Sequence, residues 1–424
     1  MQVKSRKSVI SWALYDWANS AFSTTVMAGF FPVFFREYWS YGADTTVTTA
    51  RLGMANSLAG LLVALLAPVL GAIADRGSAK KKLLFFFAYM GVAMTLSLYL
   101  VQQGDWLVAI FCYAMATVGF AGGNVFYDAL LPTVAEKSRM NFVSCLGFSL
   151  GYLGGGILFA VNVWMTLSPE TFGLTNAAQA VQLSFITVGI WWGLFSLPIL
   201  LFVEEPRQES RISVWAVVSA GIHQLTETFR EIRQLKPILL FLVAYWLYID
   251  GVDTIVVMAI NYGMSIGFNA NNLIGALLIV QFVGFPAAIG FGYLSGKIGA
   301  KRSIFIAIFV YFTMSVWASF LRYTYEFYLL AVCIGLVQGG IQALSRSLYA
   351  RMIPKEKSAE YFGFYNMIGK FAAIIGPVLV GTCAVLARNM GFSGDTASRI
   401  SISSVALLFL LGGLFLRQVK EPSV

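Results

Sequence analysis

Charge is scarce in this sequence. Of 424 residues, 12% are Asp, Glu, Lys or Arg, and there is one histidine, His223. Against this, 58% are hydrophobic and the mean hydropathy is +0.75. A soluble core could not bury that much apolar surface, which excludes an ordinary water-soluble globular protein. Cysteine is scarce too. Cys112, Cys145, Cys333 and Cys383 stand singly within apolar runs, with no CxxC pair and no Cys/His cluster. Neither disulfides nor a structural metal is expected, and no metal ligand or cofactor is assigned. There is no GxxxxGK[ST] loop, so this chain is not expected to pump with ATP. No nucleophile–base or metal-ligand constellation is visible either, and the chain is not read as an enzyme. His223 lies in a polar stretch and receives no role.

What is present is a series of long apolar segments. Twelve can be drawn, roughly 9–35, 50–75, 83–102, 107–134, 141–167, 181–203, 237–262, 271–295, 303–321, 326–353, 361–387 and 401–417. Most reach the ~20 residues a helix needs to cross hydrocarbon. They are too long for barrel strands and lack a two-residue alternation. Backbone groups in lipid must be satisfied within the segment, so the expected class is an all-α membrane protein with twelve transmembrane helices. The N-terminus, with Lys4, Arg6 and Lys7 before an apolar run, imitates a signal peptide. The run is too long and contains Asp16 and Asn19, so it is read as a first span that stays.

The net charge of +9 would suggest nucleic acid in a soluble protein. Here basic residues flank spans, and nucleic-acid binding is not expected. If both termini are cytoplasmic, 22 of the 29 Lys and Arg fall in inner loops, five fall outside, and two, Arg346 and Lys370, lie within spans. That bias sets the expected orientation. The absence of long extensions points to a bacterial inner membrane.

The longest polar stretch, 204–236, divides the chain into 1–203 and 237–424, six spans each. Within it Val214, Val217, Val218, Ile222, Leu225 and Phe229 recur at helical spacing, which predicts an amphipathic helix lying at the interface. The halves also repeat. Tyr349-Ala-Arg-Met-Ile-Pro354 follows Tyr127-Asp-Ala-Leu-Leu-Pro132 at an offset of 222 residues, and Gly369 and Gly376 match Gly147 and Gly154 at the same offset. Two parallel six-helix halves are the pattern of a transporter related by an axis along the membrane normal.

Between spans two and three runs Gly71-Ala-Ile-Ala-Asp75-Arg76-Gly-Ser-Ala-Lys80-Lys81-Lys82. This resembles the loop of the major facilitator superfamily. The resemblance implies a gating role for Gly71, Asp75 and Arg76, whereas the three lysines are read as positive-inside topology. The second half carries Gly292-Tyr-Leu-Ser-Gly296-Lys297, with glycine where the first copy has Asp75. Tyr15-Asp16-Trp17-Ala18-Asn19-Ser20-Ala21-Phe22, Asp250-Gly-Val-Asp253-Thr254 and Gly335-Leu-Val-Gln338 through Pro354 are similar to the vacuole-effluxer-like branch of that superfamily. The resemblance covers the chain from span one to span eleven. It implies a functional monomer that moves a small molecule, with amino acids suggested.

The residues themselves point the same way. Asp16, Asp128, Asp250 and Asp253 lie within spans, as do Arg346 and Lys370. An arginine at mid-membrane costs ~2.5–3.5 kcal/mol, so Arg346 is expected to face a partner or a watery cavity. Helical spacing extends these groups into polar stripes: Asp16 to Asn19, Asn124 to Asp128, and Gln338 through Gln342 to Arg346. By the superfamily resemblance, spans 1, 4, 7 and 10 line the cavity. Six ionised groups would leave a charge of −2, which a bound proton would offset, so protons are an expected partner and Asp250 or Asp253 the expected carrier. Arg346 could hold a substrate carboxylate and Asp16 an ammonium group. The same residues could equally form gate salt bridges that never touch substrate. The expected function is secondary active transport of a small polar metabolite by alternating access. The alternatives are another cargo (a cell-wall fragment, a nucleoside-like metabolite or a drug) and a transport-dead receptor or scaffold.

Overall fold

The computed structural model describes residues 5–205, 228–265, 270–321 and 323–422. Most of the linker at 204–236, including the run predicted to form an amphipathic helix, lies outside the described residues.

Every long apolar segment is helical, because only a helix satisfies its own backbone groups in lipid. The principal helices are α1 (Arg6–Ala21), α2 (Thr45–Gly77), α3 (Lys80–Ser97), α4 (Trp106–Ala129), α5 (Met140–Leu167) and α6 (Ala177–Phe195). They continue as α7 (Lys236–Ser265), α8 (Ala270–Ile298), α9 (Ala300–Ala318), α10 (Thr324–Met352), α11 (Ser358–Asn389) and α12 (Ala406–Gln418). Eleven helices among the described residues are long and apolar enough to cross a membrane. The twelfth expected span is the first. It is helical throughout, but α1 passes into widened π turns at Phe22–Phe30, a short α turn at Phe31–Phe34 and π turns again at Phe35–Trp39. No strand occurs among the described residues. Large apolar side chains remain exposed in rows, such as Leu58, Leu61, Leu62 and Leu65 on α2, as expected of a surface solvated by lipid tails.

Contacts divide the chain into two units. The first comprises the described parts of Met1–Glu136, Leu150–Gln224 and Pro354–Phe364. The second comprises those of Lys137–Ser149, Leu225–Ile353 and Tyr365–Val424. The first turns of α5 therefore belong to the second unit, and the first turns of α11 to the first.

Inside each unit the repeat seen in the sequence has a packing counterpart. In the first, Gly154 on α5 lies against α1, where a Cβ would come within 2.6–2.8 Å of Trp17. In the second, Gly376 on α11 lies against α7, where a Cβ would overlap the hydroxyl of Thr254. The repeated glycine thus lets the fifth helix of a half approach the first. The repeated tyrosines do similar work. Tyr127 stacks on Trp12 at 4.4 Å, and Tyr349 stacks on Phe241 at 5.7 Å.

A second correspondence was not foreseen. In the first unit Glu205 accepts the backbone N–H groups of Lys80 (2.8 Å) and Lys81 (3.2 Å) at the start of α3, and Lys81 Nζ donates to the Val203 carbonyl at 2.6 Å. In the second, Glu421 accepts those of Ala300 (3.1 Å) and Lys301 (3.3 Å) at the start of α9, and Lys301 Nζ donates to Val419 at 2.6 Å. Each carboxylate satisfies orphan donors at a helix N-terminus and meets its positive end.

Candidate functional site

The first unit carries one polar stripe within its spans. Asp16 on α1 is 9% exposed and accepts the Tyr127 hydroxyl at 3.0 Å. One turn along, the Asn19 amide donates to the Asn124 side chain at 2.6 Å. Asp128 is buried one turn beyond Asn124. Asp16 and Asn19 stand three residues apart and Asn124 and Asp128 four, so each pair shares one helical face, and α1 and α4 meet along this polar stripe through the Tyr127–Asp16 and Asn19–Asn124 bonds. Trp12 Nε1 donates to the Tyr127 carbonyl at 2.9 Å and fixes that tyrosine in place.

The second unit holds the other groups. Asp250 on α7 is fully buried, and both its oxygens accept the Gly376 N–H of α11 at 3.0 Å. Thr254 donates to the same carboxylate at 3.3 Å. Asp253 lies within electrostatic reach of both Lys370 on α11 and Asp250. On α10, the Arg346 side chain is 3% exposed. Its Nε donates to Ser144 Oγ and its Nη2 to the Ser144 carbonyl, each at 2.9 Å, and its guanidinium lies 4.4 Å from the Phe148 ring centroid. The arginine expected to meet a partner or a cavity thus grips the start of α5 with two bonds. Ser144 Oγ donates in turn to the Ala343 carbonyl at 2.7 Å, and Ser347 to Asn141 at 2.9 Å. Gln342 is half-buried, and the buried Oε1 of Gln338 has no hydrogen-bond partner among the described residues. An acceptor left so within a span has a place for a donor.

The predicted gating loop forms a cluster in the first unit. Asp75 at the end of α2 accepts Ala359 N–H at 3.2 Å and Glu360 N–H at 2.9 Å, so it caps the first turn of α11. Lys80 pairs with Asp75 at 2.7 Å and donates to Ser358 at 2.7 Å, and Ser358 donates to the Ala129 carbonyl at 3.0 Å. Gly71 packs directly on the Ala359 carbonyl, with no room for a Cβ. The Arg76 side chain lies outside the described residues. The reading of the lysines needs correction. Lys80 is 9% exposed and Lys81 is tied to Val203, so both have structural partners beyond topology. They sit at the first turn of a helix packed under α6, where a loop charge finds carbonyl and carboxylate acceptors. In the second unit Gly292 keeps the close approach, 3.1 Å from a Cβ to that of Cys145 on α5, whereas a Cβ at Gly296 would meet nothing within 4 Å among the described residues.

Comparison with known proteins decides the family. Residues 41–419 match the family described as vacuole effluxer Atg22 like. The chain belongs to this family. An MFS-type transporter of Bacillus subtilis (strain 168), YxiO, is 38% identical over the whole chain and 97% of its own length. Autophagy-related protein 22 of Eremothecium gossypii is 22% identical over 91% of the chain and 87% of that protein. The human organic anion transporter MFSD10 superposes with a TM-score of 0.71 at 13% identity, covering 98% of this chain and all of that one. The transporter FucP, in its outward conformation, superposes at 0.69 with 12% identity, again over 98% and 100%. The fold is that of the major facilitator superfamily.

In this Atg22-like protein the sequence-predicted residues divide between the two units. Asp16, Asn19, Asn124 and Asp128 fall in the first with Gly71 and Asp75. Asp250, Asp253, Gln338, Gln342, Arg346 and Lys370 fall in the second. Sequence reasoning missed Ser144, Phe148 and Ser358 as partners, whereas Thr254, four residues after Asp250, falls on the same helical face and bonds it.

Proposed function

We propose that this Atg22-like protein is a secondary active transporter that moves a small polar metabolite, an amino acid foremost, by alternating access coupled to protons. It works as a monomer of two six-helix halves, 1–203 and 237–424, joined by the linker 204–236, in a bacterial inner membrane with both termini cytoplasmic. The observation that carries this is the burial of ionisable side chains inside spans. Asp16, Asp128, Asp250 and Arg346 are 9%, 7%, 0% and 3% exposed. Charges at that depth are costly, and a receptor or scaffold does not require them. The family's description as vacuole effluxers supports export of a metabolite.

Two roles follow for the named residues. Asp75 and Arg346 each hold the first turns of a long helix by reversible hydrogen bonds, α11 and α5, which suits gate latches. Asp16, Asn19, Asp250, Asp253, Lys370 and the free acceptor of Gln338 supply the polar groups for substrate and proton. A thermal-shift screen of purified protein against amino acids, dipeptides, nucleosides, cell-wall fragments and organic anions tests the cargo, because a ligand that binds only the folded state raises its stability. An amino acid that raises the midpoint supports the reading. A shift with only another class overturns the amino-acid cargo and leaves the transporter.

A further inference from the structure

Among the described residues, the carboxylate of Asp250 is held by main chain and a threonine and not by a cation. Its two oxygens share the Gly376 N–H at 3.0 Å, Thr254 donates to it at 3.3 Å, and the Ile375 backbone adds a further main-chain bond. Gly376 stands immediately before Pro377, which lies inside α11. A proline gives the helix ladder no N–H. At this turn α11 therefore lacks one donor, at Pro377, and presents the preceding one, at Gly376, to Asp250. A helix so interrupted has an identifiable bending point. Only glycine fits there, since a Cβ would overlap Thr254 and come 2.8 Å from the Asp250 oxygen.

The charges around the pair are few. Asp253 is on the next turn of α7 and Lys370 is on α11, and these two interact with each other. From α10 comes Ser345, which is bonded to Tyr248 at 2.6 Å. From α12 comes Phe409, packed on Gly251 and stacked on Tyr311 of α9. Asp253 and Lys370 cancel, so the net charge of the cluster rests on Asp250, and one proton there makes it neutral.

We propose that Asp250 is a protonation-controlled tie on the bend of α11. Ionised, it holds the Gly376 N–H in a charge-assisted bond, roughly twice as strong as a neutral one. Protonated, one oxygen becomes a donor, the grip weakens and α11 flexes at Gly376–Pro377. This rests on the proton-coupled reading above. It deepens that reading by naming which carboxylate carries the proton and which element responds.

Amide hydrogen exchange of the full-length protein in detergent tests it, followed over the α11 peptides around Gly376 at about pH 8 and about pH 5 and corrected for the intrinsic rate. The wild type is expected to exchange about three- to tenfold faster at the acidic value. Asp250→Asn, which cannot ionise, is expected to exchange at the raised rate at both values, and Asp253→Asn to keep a step. A wild type with no step overturns the proposal, and so does an Asp250→Asn protein that keeps it. Should Asp250→Asn not fold, the wild-type step and Asp253→Asn still decide. The measurement needs neither substrate nor flux, so its failure leaves the transporter reading standing. A protein that shows the step and moves no substrate overturns that reading instead.

Discussion

Asp75 accepts the backbone N–H of Glu360 at 2.9 Å, across 285 residues of sequence. The bond joins the end of α2 to the start of α11 and is reinforced by Lys80, which touches both Asp75 and Ser358. Asp75→Ala leaves Lys80 and two N–H groups without their acceptor. A loss of about 2 kcal/mol is expected, seen as a lower thermal midpoint, together with loss of transport. Asp75→Asn keeps an acceptor and loses the charge, and an intermediate midpoint is expected.

Gly71 offers a sharper steric test. A Cβ there meets main chain at Ala359, which cannot swing aside, whereas one at Gly60 on the same helix meets nothing within 4 Å. Gly71→Ala is expected to destabilise by about 1–3 kcal/mol and Gly60→Ala to leave the midpoint nearly unchanged. Equal midpoints for the two would contradict the packing described.

Arg346 bonds Ser144 through two different guanidinium nitrogens. Lysine keeps the charge and cannot reproduce both bonds. Flux is expected to fall about tenfold in Arg346→Lys and to vanish in Arg346→Ala. Full activity in both variants would rule out latch and substrate clamp alike.

Glu205 and Glu421 cap α3 and α9 in separate units. Each Glu→Gln change is expected to cost about 1 kcal/mol, slightly more for Glu421, which also pairs with Arg351 at 2.8 Å. Because the two sites share no partner, the double variant is expected to lose the sum of the two within about 0.5 kcal/mol. A clearly larger combined loss in chemical denaturation would show that the caps are coupled.

Much of the fold could be read from the residues because hydrocarbon leaves few options. An apolar run such as 141–167 has no partner for its backbone except itself, and α5 spans 140–167. The offset of 222 residues was equally informative: Gly154 with Gly376, and Tyr127 with Tyr349, occupy equivalent packing positions. The partners of the polar groups were less legible. Spacing places Gln338, Gln342 and Arg346 on one face of one helix, and says nothing of the helix opposite. That Arg346 meets Ser144, 202 residues earlier, is a tertiary fact. Lys80 shows the same limit from the other side. A lysine beside a span has the same signature whether it sits in the headgroup region or, as here, is buried against Asp75. The π turns after Ala21 had no sequence signal that helical periodicity could register.

The most direct test of the central claim is uptake of labelled amino acids into proteoliposomes containing the purified protein, with an imposed proton gradient, in the wild type and in Asp250→Asn. Gradient-driven accumulation by the wild type is expected. The variant, unable to exchange a proton at that carboxylate, is expected to equilibrate substrate between the two sides without concentrating it. Accumulation by Asp250→Asn equal to that of the wild type, or uptake by the wild type that ignores the gradient, would contradict proton-coupled transport through this residue.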